Sequence, residues 1–212
     1  MKKIILPIII ILGLIGGIWY VKKDKIVPVE TTTSQYRNVN SGISFTYPRI
    51  LQAKTENGIA TLHHEVPFEH HDYCDFKGEA TTTIPTLTDF HVKFFIVNKN
   101  LVDTMKTESP YIPQENFVNG EVVESPGFID LYYINDLKGY KIFEGAEGCG
   151  RTIFYFPISS EKTLVVTDEF ITVFSGAIDV GNMEAALLVP GVINREKATE
   201  TFESILKTVK VQ

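Results

Sequence analysis

The sequence predicts an α+β domain built on a largely antiparallel sheet, preceded by one N-terminal transmembrane helix. Three observations predict it. Short runs rich in β-branched and aromatic residues recur along the chain with turn signals between them. A capped amphipathic stretch closes the chain. An uncharged run of eighteen residues, Ile4 to Val21, opens it, and that length is just enough to cross a bilayer as a helix.

The opening run sits between Lys2-Lys3 and Lys22-Lys23, with Trp19 and Tyr20 at its end. Aromatic and basic flanks of this kind mark a helix that stays in the membrane. A cleaved signal would want small residues before the cut, whereas this run ends in bulky ones, and no cysteine follows for lipid attachment. Residues 1–25 are therefore read as an anchor, with the N-terminus cytoplasmic and the domain extracytoplasmic, because a short basic tail followed at once by an apolar run is the shape of an export signal-anchor. Residues 26–35, Thr-rich and without apolar periodicity, read as a linker. Residues 36–212 then form one domain, long enough to bury a sizeable core.

Within the domain, Ile43 to Tyr47 reads as a strand stopped by Pro48. ILQAK and IATLHH follow, separated by an Asn57-Gly58 turn that favours a hairpin. FHVKFFIV, residues 90–97, is apolar on both alternating faces, as a central strand requires. Asn100 is placed to cap a short helix over LVDTMKTE, ended by Ser109-Pro110. GYKIFE, RTIFYFPI and KTLVVTDEF read as later strands, the last two joined through Ser159-Ser160. Residues 170–193 fit no single period. Asn194 then offers an N-cap, and Phe202, Ile205, Leu206 and Val209 form one apolar stripe at helical spacing.

The two ends of the domain resemble a known family. Tyr36-Arg37-Asn38 followed by Gly42-Ile43-Ser44-Phe45-Thr46-Tyr47-Pro48 is similar to the GFSF-x-YP opening of the PsbP/Mog1-like fold, found also in small membrane-anchored exported bacterial proteins. Phe202 to Val211, FESILKTVKV, is similar to the final helix and strand of the same proteins. The Trp that often follows the Tyr-Pro is replaced here by the Ile50-Leu51 region. The resemblance implies an α/β/α sandwich with a mainly antiparallel sheet, acting as a binding or assembly module rather than an enzyme. Fold analogy alone does not carry a function.

Charge narrows the partners. The formal net charge is −6, and with five lysines and one aspartate in the first 25 residues, the remainder carries −10. Such a surface repels nucleic acid. The membrane, through the N-terminal helix, and a protein or cell-envelope component are the partners expected.

Cys74 and Cys149 are the only cysteines, and an even count outside the cytoplasm favours a disulfide. Closing a loop of that length stabilises a fold by roughly 4 kcal/mol in the chain-entropy account. Cys74 lies near the end of a stretch, TLHHEVPFEHHDYCDF, that holds four of the five histidines. His64-Glu65 and His70 superficially resemble the zinc-protease H-E-x-x-H motif, but the histidines stand six apart with Pro67 between them. That motif needs a spacing of four on one continuous helix, so the protease reading fails.

A looser zinc or copper site of His64, His70, His71 and Asp72 stays open, since imidazole and carboxylate suit either metal. Adjacent strand residues face opposite ways, so only one of His63 and His64 can join it. The plainer reading is a polar loop in which the imidazoles pair with Glu65, Glu69, Asp72 and Asp75, with His63 part of the same binding surface. Clustered histidines beside carboxylates would also respond to pH below neutrality. No spacing singles out an acid and base pair among Glu144, Glu147, Asp168 and Glu169, and no nucleophile elbow or phosphate loop is present. The expectation is a membrane-tethered extracytoplasmic binding module without catalytic activity. The alternative is a metal-binding protein or metal-dependent hydrolase using residues 63–75.

Overall fold

A computed structural model describes residues 32–71, 83–146, 149–175 and 180–212, all within one compact unit, Thr32–Gln212. Twelve strands and three helices are found among them. The strands are β1 (Thr33–Asn38), β2 (Ile43–Pro48), β3 (Gln52–Glu56), β4 (Ile59–His71), β5 (Thr83–Val97), β6 (Phe117–Val118), β7 (Glu121–Val122), β8 (Ile129–Ile134), β9 (Leu137–Ala146), β10 (Cys149–Ser159), β11 (Lys162–Glu169) and β12 (Lys210–Val211). The helices are α1 (Leu101–Glu108), α2 (Val180–Leu187) and α3 (Arg195–Leu206).

The main sheet has seven strands in the order β3-β4-β5-β11-β10-β9-β8, every neighbouring pair antiparallel. Its centre is β11, whose Leu164, Val165 and Val166 are fully buried. A strand buried on both faces must be apolar at successive positions, which is what KTLVVTDE supplies up to Thr167. β1, β2 and β12 form a separate three-stranded sheet.

This arrangement corrects the expected α/β/α sandwich. One face of the main sheet packs Phe90, Val92, Phe94, Phe154, Leu164 and Val166 against Ile43 and Phe45 of the small sheet, together with Phe202 and Ile205 of α3. The covering layer there is a sheet carrying one helix. On the other face Met105 of α1 shares its cluster with Ile112, Phe117 and Val122 from an irregular stretch and the β6-β7 hairpin. The fold is mostly β because strand pairing, rather than helix packing, buries much of the covering surface. Its three described helices span only eight, eight and twelve residues.

Local chemistry explains the element boundaries. Asn57 and Gly58 both take positive φ, 50° and 81°, the conformation that a two-residue hairpin turn demands. The Asn100 side chain accepts from Asp103 N at 2.8 Å and that of Asn194 from Lys197 N at 2.8 Å, so both expected caps hold their helices. Gly42 has φ +71°, and an added Cβ would stand 2.6 Å from the Gln212 carbonyl oxygen. That close approach is where the chain's last residues pair with β2. Phe45 lies 4.5 Å from the Phe94 ring, joining the two sheets. β1 begins at Thr33, inside the stretch read as linker.

No helix among the described residues is long and apolar enough to cross a membrane, and the anchor expected over residues 1–25 lies outside them.

Candidate functional site

The histidine-rich stretch is a strand as far as His71. β4 pairs with β5 through Pro67 opposite Thr86 and His71 opposite Thr83, where a polar loop was expected. Alternation continues through it, with Leu62 and Val66 buried and Glu65, Pro67 and Glu69 exposed. β3 covers β4 only as far as His63. Beyond that point β4 is an edge strand, and the register shifts again between Pro67 and His70; edges and bulges are both places where a proline's missing N–H is tolerated.

The strand geometry scatters the candidate ligands. His63 stands opposite His91 on β5, whereas His64 turns to the other face. His70 Nδ1 donates to the Phe68 carbonyl at 3.2 Å, and His71 is exposed. Glu65 and Glu69 point to solvent. Asp72, Cys74 and Asp75 lie outside the described residues. Among the described residues no group of three or more His, Cys, Asp or Glu side chains is placed to hold a metal ion. Cys149 is buried at the start of β10 and is disulfide-bonded.

Two aspartates given no role by the sequence are placed more tellingly. Asp89 sits where the β4-β5 register slips, since Glu65 faces Thr88 while His64 faces Phe90. It is the extra residue of a bulge, a device that re-aims a side chain. Its carboxylate is fully buried. Oδ1 accepts from His64 Nδ1 at 2.6 Å and Oδ2 from Ile193 N at 2.6 Å. Ile193 immediately precedes the Asn194 cap, so Asp89 fixes the start of α3 over the sheet.

The second is Asp168, on β11 between Val92 and Thr152 of the flanking strands. Alternation puts it on the same face as Leu164 and Val166, toward α3. Among the described residues no hydrogen bond or ion pair engages its carboxyl. Burial, with a smaller push from the neighbouring Glu169 charge, raises it to about 7. Glu169 faces the opposite side. Burial pushes it up as well, but His91 Nδ1 donates to Oε2 at 2.5 Å and Lys93 Nζ to Oε1 at 2.7 Å, and together they hold it down at about 2. Successive carboxyls on one strand are thus driven apart by the two faces of the sheet.

Asp168 lines a cavity of about 340 Å³ between the sheet and α3. Its walls are aromatic: Tyr132 and Phe154 lie 4.8 Å apart, Phe154 and Phe202 5.1 Å, and Phe143 and Phe170 6.3 Å. Arg195, the first residue of α3, places its guanidinium 5.0 Å over the Phe170 ring. Lys141 lies 3.9 Å from Asp130. The Tyr132 hydroxyl is raised by burial and then by the Glu203 charge. Aromatic rings share the lining with six charged side chains, and a concave site where convergent polar groups meet apolar walls is a candidate small-molecule site. The signal that could have found Asp168 is its register: period two along KTLVVTDE aligns it with two core residues, an inward position for an uncompensated acid.

No protein-family model matches the sequence, and no curated protein matches it. A crystal structure of a protein from Bacteroides thetaiotaomicron VPI-5482 is similar at 8% identity with a TM-score of 0.41, over 84% of this chain and 48% of that one. This chain therefore spans about half the length of that protein, and a likeness at this level carries no argument about function.

Proposed function

We propose that this protein is a membrane-tethered extracytoplasmic binding module whose ligand docks in the cleft between β11 and α3. The observation that supports the reading is Asp168, a carboxyl without an internal partner facing an aromatic-walled cavity. Burying an ionisable group unpaired costs free energy, and departures of this kind concentrate at sites that serve a ligand. Asp89 serves the same cleft by holding the start of α3 in place. The apolar run Ile4 to Val21 supports the tether, and a Cys74–Cys149 disulfide is the pairing proposed for the only two cysteines.

The test is native mass spectrometry of the full chain purified from its own membrane, beside a Thr152→Trp variant that fills the cleft next to Asp168. A small molecule carried by the wild-type protein and absent from the variant supports the reading. Equal retention by both, or a molecule carried by neither, overturns it. Mobility with and without reductant tests the disulfide.

A further inference from the structure

We infer that the cleft takes a small organic cation, an ammonium group on a compact apolar or aromatic body, with Asp168 as its counter-ion. This rests on the cleft being the binding site proposed above. Three features of the lining carry it.

The cleft's own cations do not pair with Asp168. Arg195 lies over Phe170 and Lys141 beside Asp130, and among the described residues no ion pair links either to the carboxyl. The acidic residues around the cavity are Asp89, Asp168, Glu169 and Glu203, of which Glu169 turns its carboxylate to the other face of the sheet. Asp89 is taken by His64 and the Ile193 amide, and Glu169 by His91 and Lys93. Asp168 and Glu203 remain, one facing the cavity and one exposed on the helix above it. Against the single Arg195 guanidinium, which no ion pair engages among the described residues, they leave the lining net negative once Asp168 is ionised.

The walls suit the same ligand. Phe143, Phe154, Phe170 and Tyr132 present ring faces and edges, and ring faces attract cations electrostatically. Arg195 over Phe170 is an instance already in place. An anionic ligand would meet Asp168 and Glu203 with like charge, and a neutral one would leave Asp168 without a counter-charge. An ammonium supplies that charge in a partly buried site, where it is worth more than in bulk water.

Proton linkage gives the inference a signature that packing alone does not share. Asp168 holds its proton at about pH 6 and must release it to pair with a cation, so affinity should rise about tenfold per pH unit up to the carboxyl's own pKa and level off above it.

Isothermal titration of the full chain with benzylammonium, benzyl alcohol and benzoate tests this at pH 6 and pH 8. Benzylammonium is expected to bind at least tenfold more tightly than the alcohol at pH 8, to release a proton on binding at pH 6, and to lose at least tenfold in Asp168→Asn. Glu203→Gln, on the exposed face of α3, should cost a smaller two- to threefold, and it keeps the test valid if the first variant is poorly folded. Benzyl alcohol or benzoate binding as well as benzylammonium overturns the cation inference and leaves the cleft reading standing. Failure of all three probes overturns the inference, and equal retention of the native molecule by Thr152→Trp then separately removes the cleft.

Discussion

Replacing Asp168 with Asn should stabilise the protein at neutral pH, an unusual outcome for a change at a central strand. The carboxyl is raised from 3.8 to about 7 by burial. A folded-state pKa above the unfolded value means that the native state holds a proton the unfolded chain has lost. The contribution of Asp168 to stability is therefore greatest below pH 4, falls as pH rises toward 7, and is flat above it. The gap corresponds to about 4 kcal/mol at most, at 1.36 kcal/mol per unit. Asn keeps a polar group in the same place, and leaving its amide without a partner returns about 1–2 kcal/mol of that. The expected net gain at pH 8 is about 2–3 kcal/mol, or about 5–10 °C in melting temperature for a domain of this size. Urea denaturation of both proteins at pH 5, 6, 7 and 8 is the assay, with the difference between them isolating Asp168 from every other titrating group. Glu169 does not confuse the window, since its depressed pKa gives stability that is present above 4.5 and lost only as pH falls toward 2. A difference between the two proteins that does not change with pH, or a variant that is less stable at pH 8, would refute the reasoning.

Three further outcomes follow from contacts elsewhere. Asp89→Ala should cost about 3 kcal/mol, because it strands the partly buried His64 imidazole and the buried Ile193 amide together; denaturation at pH 7 checks it, and faster amide exchange at the start of α3 should accompany the loss. Tyr155→Phe should cost about 1–3 kcal/mol, since the buried Tyr155 and Ser109 hydroxyls bond each other at 2.7 Å and the change leaves Ser109 Oγ alone; the double variant with Ser109→Ala should recover part of that loss. Gly139→Ala should destabilise by about 2 kcal/mol or more, because its Cβ would stand 2.2 Å from the Tyr155 carbonyl oxygen and 2.5 Å from the Phe156 ring; a melting temperature equal to wild type would contradict that placement.

Many of the strands and helices were legible because their signals are local. The Asn57-Gly58 turn, the apolar run at residues 90–97 and the caps at Asn100 and Asn194 each specify their element through nearby residues, and each element formed where expected. The α/β/α layering failed for a different reason. It depended on what covers the sheet, and β1, β2 and β12 assemble from opposite ends of the chain, a pairing that no local window contains. Residues 65–71 were read as a loop because histidines and glutamates outnumber apolar residues there, yet period two persists from Leu62 to Val66, and the edge position makes Pro67 harmless. The site was hidden by the same non-locality. Asp89 owes its inward aim to a register slip against β4, and Asp168 owes its isolation to α3 closing over it from 27 or more positions further along the sequence.

The most direct test of the central claim is a carboxyl-carbon NMR titration of Asp168 in the full chain, without and with benzylammonium. A midpoint near pH 7 is expected in the free protein, with a fall of at least about one unit when the amine is bound, as a counter-charge favours the ionised form. A midpoint in the ordinary aspartate range, or one that the amine leaves unmoved, would contradict it.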